Sequence, residues 1–234
     1  MAAPSFAEVL DMLREIAPLE LAAEWDNVGL VLQPNQRPGR VARVLLTIDL
    51  TDDVVREAKA QRADLVVAYH PPIFRPIARL DAGDPSSHRL VAALAAKIPV
   101  YSPHTALDAA PGGLADWLIE GLLGDDAPEE LRPCGDGEFG RVARLATALP
   151  FATIVARAKR HLGVSSLRIA RPARRAAGRV RSLAVAAGAG ASVLRGVAGD
   201  VWLTDELSHH DALTATAAGT SIVLAGHSNT ERGF

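Results

Sequence analysis

VARVLLTIDLTDDVVREAKAQRADLVVAYH (residues 41–70) reads as strand, helix, strand. Residues 41–50 are apolar and β-branched. Thr51 to Arg62 carries a helical pattern, and DLVVAY (64–69) is a second apolar strand ending at His70. That order is the signature of a parallel sheet covered by helices on both faces. Downstream, a helix over 87–97 leads to a third strand, IPVYS (98–102), then the loop SPHTALDAAPGG and a helix through Trp117 and Leu122. Upstream, Ser5 and Glu8 form an S-x-x-E capping box, and Phe6, Val9, Leu10 and Leu13 share one helical face, with Pro18 just past the end. EWDNVGL (24–30) reads as a turn leading into a short strand.

GDDAPEELRPCGDGEFG (124–140) is rich in Gly, Pro and acids, the composition of a linker. It divides the chain into a first lobe, 1–123, and a second, 141–234. In the second lobe a strand (141–147), a helix (151–161), a strand (166–170), the apolar VRSLAVAAGAGAS (180–192), a strand (200–204), a helix (208–218) and SIVLAG (221–226) restore the alternation. The expected fold is α/β, with mostly parallel sheets in two interleaved three-layer lobes.

The 234 residues are 49% hydrophobic, which excludes a disordered chain, and the formal net charge of −2 demands neither a membrane nor a nucleic-acid partner. One cysteine, Cys134, makes neither an internal disulfide nor a thiolate metal cage, so a reducing compartment fits. Glu8, Asp11, Arg14 and Glu15 break any apolar leader. A cytoplasmic location is the expectation.

Four segments place a polar residue just after an expected strand: AYHPPIF (68–74) with His70, HTALD (104–108) with His104 and Asp108, TDELSHH (204–210) with His209 and His210, and GHSNTE (226–231) with His227 and Glu231. In open α/β sheets ligands bind beyond the carboxyl ends of the strands, so four such loops bring imidazoles and carboxylates to one rim. Neutral imidazole and carboxylate suit zinc, iron, manganese, nickel or cobalt. Two ions need bridging oxygens, which Asp108 or Glu231 can supply. Each element also has a plainer reading. His227–Glu231 and His104–Asp108 have the spacing of ordinary i,i+4 pairs, and His209–His210 can simply open a helix. RIARPARRAAGRVR (168–181) reads as a solvated basic loop more readily than as a phosphate or nucleic-acid site, since no aromatics are interleaved. GAGAS (188–192) matches neither G-x-x-x-x-G-K-[ST] nor G-x-G-x-x-G, and a tight strand-to-helix turn explains it as well as a phosphate loop.

Taken together, EWDNVGL, TIDLT (47–51), AYHPPIF, HTALDAAPGG, GAGAS, DVWLTDELSHHDAL and GHSNTERGF resemble the NIF-three-like family, eukaryotic-type branch. That family is also described as dinuclear-metal-centre hexameric proteins or GTP cyclohydrolase type-two homologues. The resemblance implies a metal centre between the lobes, two divalent ions per chain, and a ligand set of Tyr69, His70, Asp108, His227 and Glu231. Tyr69 stands where the family has a histidine. A phenol, with an unperturbed pKa near 10, is a poorer ligand at neutral pH unless the metal lowers it. The family continues past H-x-x-x-E with a further helix and strand, so a truncated chain or a missing tail is expected here. The resemblance further implies a hexamer acting as a metal-dependent hydrolase on a nucleotide-like molecule, with His104, His209 or His210 as general acid–base. It implies two rivals: an adaptor for a transcription regulator, and a metal store or metallochaperone.

Overall fold

The computed structural model describes residues 2–173 and 178–234, and of Ser86 the backbone alone. Arg174 and Arg175 of the basic stretch therefore lie outside the described residues. The chain divides into two compact units, Met1–Ala110 and Pro111–Phe234.

In the first unit, α1 (Phe6–Ile16) starts with the expected reciprocal box: the Glu8 amide donates to the Ser5 hydroxyl and the Ser5 amide to the Glu8 carboxylate. Thr51 likewise caps α2 (Asp52–Ala60). The sheet comprises β1 (Gly29–Leu32), β2 (Val44–Thr47), β3 (Leu65–Ala68) and β4 (Val100–Ser102), in the order β1-β4-β3-β2. β2, β3 and β4 are parallel and β1 is antiparallel to β4. Alternation along β3 sorts the layers. Leu65 and Val67 pack with Phe6, Val9 and Leu10 of α1. Val66 and Ala68 face Val55 and Ala58 of α2 and Leu90 and Ala93 of α3 (Pro85–Ala95).

This topology collects polar residues on one edge. β2, β3 and β4 run the same way, so Asp49, Tyr69–His70 and His104 all follow carboxyl ends. Because β1 runs the other way, with Gly29 opposite Ser102, the segment Trp25–Asn27 enters at that same edge. HTALDA, expected within a loop, is instead a six-residue helix, α4 (His104–Ala109). It lacks a side-chain N-cap and follows Pro103, so no start signal was visible.

The second unit holds α5 (Leu114–Leu123), β5 (Pro128–Cys134), β6 (Gly140–Pro150), α6 (Phe151–Leu162), β7 (Arg168–Ala170), β8 (Arg179–Ala186), α7 (Ala191–Leu194), β9 (Val201–Thr204), α8 (His209–Ala217) and β10 (Ser221–Leu224). The sheet order is β5-β6-β8-β9-β10-β7, with a parallel centre of β8, β9 and β10 and antiparallel flanks. Leu183, Val185, Val201 and Leu203 meet α5 and α6 on one face, while Ala184, Ala186, Trp202 and Ile222 meet α7 and α8 on the other. Each unit is thus a helix–sheet–helix sandwich.

The stretch expected as a linker, 124–140, differs: residues 128–134 form β5, paired antiparallel with β6. Pro128 and Pro133 are tolerated because β5 is an edge strand with one unpaired side. The units divide at Ala110–Pro111 instead, ahead of α5. Among the described residues no helix is long and apolar enough to cross a membrane.

Candidate functional site

The β2–β3 ladder runs on past the strands, the Tyr69 amide donating to the Thr47 carbonyl at 2.9 Å and the His70 amide to that of Ile48 at 2.9 Å. This holds the His70 ring beside Asp49, with Nδ1 2.9 Å from a carboxylate oxygen. An ionised acceptor puts the imidazole proton on Nδ1, the usual arrangement of a metal-ligating histidine and its orienting carboxylate.

Tyr69 donates its hydroxyl to Asp108 at 2.7 Å, and both residues are buried. In this geometry the phenol is a donor that fixes one Asp108 oxygen.

His104 is anchored on the other side. Its Nδ1 lies 2.9 Å from each oxygen of Asp26, whose side chain is fully buried and also accepts from the Thr105 amide and hydroxyl. Burial opposes ionisation of Asp26, but the hydrogen bonds from His104 and Thr105 outweigh it and hold the carboxyl below its ordinary range. His104 takes a φ of +31°, a left-handed conformation costly for a side chain with a Cβ. The Asp26 bond and the packed Thr105 keep it there. With Nδ1 committed, Nε2 is the working nitrogen.

In the second unit, parallel β8, β9 and β10 place Gly188, Asp205 and the 3₁₀ turn His227–Asn229 at corresponding ends. Asp205 is fully buried. One oxygen accepts from the Gly188 amide at 3.0 Å and from the Thr230 hydroxyl; the other is buried with no hydrogen-bond partner among the described residues. Glu231 lies next to Thr230 in the chain and is buried, with an oxygen 3.8 Å from His227 Nε2; Glu206 approaches His227 Nδ1 at 3.7 Å. Burial, together with the like charges of Glu231 and Glu206, pushes the Asp205 carboxyl up to about 8, against the hydrogen bonds from Thr230 and Gly188. Glu206 and Glu231 thus flank the His227 imidazole and both act on Asp205.

A consequence can be measured on chelator-treated protein. A carboxyl raised from 3.8 to about 8 binds its proton more tightly when folded, so its contribution is fully present below pH 4 and lost as pH rises toward 8. Asp205→Asn removes that loss. The stability of the variant relative to the native chain should rise steadily from pH 4 to 8 in denaturant titrations; a constant difference would show that Asp205 ionises normally.

GAGAS is the strand-to-helix turn between β8 and α7. The Gly188 and Gly190 amides are spent on internal acceptors, Asp205 and Thr204, and do not cradle a phosphate. Gly188 has φ +58°, and a Cβ there would meet the Glu231 carboxylate at 3.2 Å. The positive φ strains any side chain there, and the close approach to Glu231 adds to that strain.

A family model described as Duf34/NIF3 (NGG1p interacting factor 3) matches residues 4–234. The chain belongs to the Duf34/NIF3 family. It is 37% identical to NIF3-like protein 1 of Drosophila melanogaster over 97% of this chain and 78% of that protein. It is 35% identical to NGG1-interacting factor 3 of Saccharomyces cerevisiae over 90% of this chain and 80% of the relative. The fold matches the crystal structure of a Bacillus cereus protein related to NIF3, with TM-score 0.81 and 20% identity, over 100% of this chain and 92% of that one.

Within this Duf34/NIF3 chain the first unit gathers Tyr69, His70, His104 and Asp108, and the second gathers His227 and Glu231. His209 and His210 are exposed in the first turn of α8, where their rings meet edge to face with centroids 5.5 Å apart and Ser208 caps the helix. Asp26, Asp49 and Asp205 went unassigned in the sequence, although each lies in a quoted motif, EWDNVGL, TIDLT or TDELSHH. For Asp49 and Asp205 an acid just past an apolar strand was the available signal; Asp26 precedes its strand and had none. Of the basic stretch, Arg171 lies over the Phe151 ring at 4.7 Å and Arg181 pairs with Glu129 at 2.9 Å. Cys134 is buried and its thiol is pushed up to about 11 by burial, so it is an inert core residue.

Proposed function

We propose that this NIF3-family protein is a metal-dependent hydrolase acting on a nucleotide-like small molecule, in the manner of GTP cyclohydrolase type-two homologues, and that it works as a homo-oligomer, a hexamer. His70 and Asp108 from the first unit and His227 and Glu231 from the second are the ligands of a divalent transition metal, with two ions per chain. The carrying observation is the acidic corner of the second unit, where Glu231 is buried 3.8 Å from His227 Nε2, Glu206 lies 3.7 Å from Nδ1, and burial with these two acids pushes the neighbouring Asp205 up to about 8. Buried carboxylates need a counter-charge, and an oxygen- and imidazole-rich set without thiolate suits zinc, iron, manganese, nickel or cobalt.

A bound divalent ion supplies Lewis acidity, polarising a substrate oxygen and lowering the pKa of water to about 7. The protein's own residues do the rest. Asp49 orients His70, Tyr69 holds Asp108, and Asp205 ties Thr230, and with it Glu231, to the Gly188 turn. His104 Nε2 takes up and returns the proton, its tautomer set by Asp26.

A second reading, an adaptor for a transcription regulator with a structural metal, is favoured by the name of the yeast relative, NGG1-interacting factor 3. Turnover separates the two. Metal-loaded oligomer is assayed first with GTP, then with other nucleotides and small cyclic amides. A hydrolase needs added divalent metal and speeds up as pH rises through the ionisation of the activated water. No turnover on any of these, with Asp108→Ala still binding its cellular partners, would establish the adaptor instead.

A further inference from the structure

Trp25 and Phe74 are out of place by ordinary packing rules. The chain has only three Trp, five Phe and two Tyr, yet Trp25, Phe74 and Tyr69 all surround His104, with ring centroids 6.2, 6.1 and 5.5 Å from it. Tyr69 is buried, whereas Trp25 is 63% and Phe74 52% exposed. Trp202, by contrast, is buried in the core of its unit. Adjacent aromatic rings left at a surface mark a contact site, and beside a polar, imidazole-bearing site they suit a ligand-binding wall.

The exposure is built, not loose. Trp25 sits just before Asp26, whose carboxylate grips His104 and Thr105. Phe74 follows Ile73, whose carbonyl accepts from the Asn27 side chain at 2.6 Å. One short segment, Trp25–Asn27, is thus bonded both to the His104 turn and to the loop carrying Phe74. The Trp25 and Phe74 rings meet edge to face, centroids 5.8 Å apart and planes at 66°. Rings fixed this way lose little conformational freedom when a ligand arrives.

We propose that Trp25 and Phe74 form a stacking subsite for a planar heteroaromatic ring, with His104 Nε2 reaching a polar atom on that ring's edge. The subsite deepens the hydrolase reading, and rests on it for the role of His104. Stacking on an aromatic face tolerates any flat heterocycle; the His104 imidazole beside it selects rings with a nitrogen or oxygen on the edge. The substrate class is therefore a nucleobase-like heterocycle, recognised by its ring and not by its phosphate.

The test is calorimetric titration of the full-length protein with guanosine, adenosine and cytidine, and with ribose 5-phosphate as the ring-free probe. Metal content and oligomeric state are measured on the same samples. Nucleosides should bind and ribose 5-phosphate should not. Trp25→Ala and Phe74→Ala should each weaken nucleoside binding roughly 10-fold or more, with metal content and melting temperature unchanged, and Trp25→Phe should restore most of the affinity. Equal affinity in the alanine variants, no nucleoside binding by the native chain, or equal binding of ribose 5-phosphate would overturn the subsite. So would a variant that loses its oligomeric state while binding nucleosides normally, since the rings would then be a protein contact. A native chain that binds nucleosides through these rings but holds no metal would refute the hydrolase reading and leave the subsite standing.

Discussion

His70→Ala should lower metal affinity by more than about 100-fold. The expectation comes from how the ring is held. Backbone hydrogen bonds carry the β2–β3 ladder past the strand ends, and Asp49 sits 2.9 Å from Nδ1, so the ring is held in one orientation. Losing an orienting partner of a ligating histidine typically costs about 10–100-fold in metal affinity or activity. Losing the ligand itself should exceed that. Asp49→Asn supplies the internal scale, since it spares the imidazole and loosens its tautomer. The order native, Asp49→Asn, His70→Ala in competition titrations with a metal-binding dye is the expected result. Stability should change little, because His70 is partly exposed at a strand end. If His70→Ala binds metal as the native chain does, His70 is a surface histidine paired with an acid and the ligand assignment fails.

The second large effect is on turnover. His104→Ala removes the proposed acid–base group, and such groups contribute about 10²–10⁴-fold. Metal content should be retained. Asp26→Asn should share the loss of rate, because an amide no longer fixes the proton on Nδ1, and it should also lower stability. Breaking a buried charged hydrogen-bond cluster costs about 3–5 kcal/mol, and Asp26 holds Thr105 together with His104, whose φ is +31°. A rate equal to the native one in His104→Ala would reduce the Asp26–His104 pair to a structural brace.

Much of this architecture was legible in advance, because local chemistry and tertiary packing agree along most of the chain. The Ser5–Glu8 box and the Thr51 cap start α1 and α2 where the residue types place them, and the apolar runs at 64–69 and 200–204 became buried strands. What was missed has physical reasons. β5 carries two prolines and two acids because an edge strand needs neither a full ladder nor an apolar face. α4 is brief and uncapped, and depends on the Asp26–His104 contact across 78 residues. The same limit hid the residues that tune the site. Asp49 meets His70 across 21 positions and Asp205 meets Thr230 across 25, partnerships that only the parallel register creates. The Tyr69 hydroxyl shows the gap most clearly. A histidine-to-tyrosine exchange reads as a weaker ligand in the sequence, and as a donor to Asp108 once the two are brought together.

Elemental analysis of the chain purified without chelators tests the central claim most directly, run beside Asp108→Ala prepared identically. A centre with bridging carboxylates predicts between about one and two transition-metal ions per native chain and loss of most of that metal in the variant. A metal-free native protein, or the same metal content in Asp108→Ala as in the native chain, would contradict it.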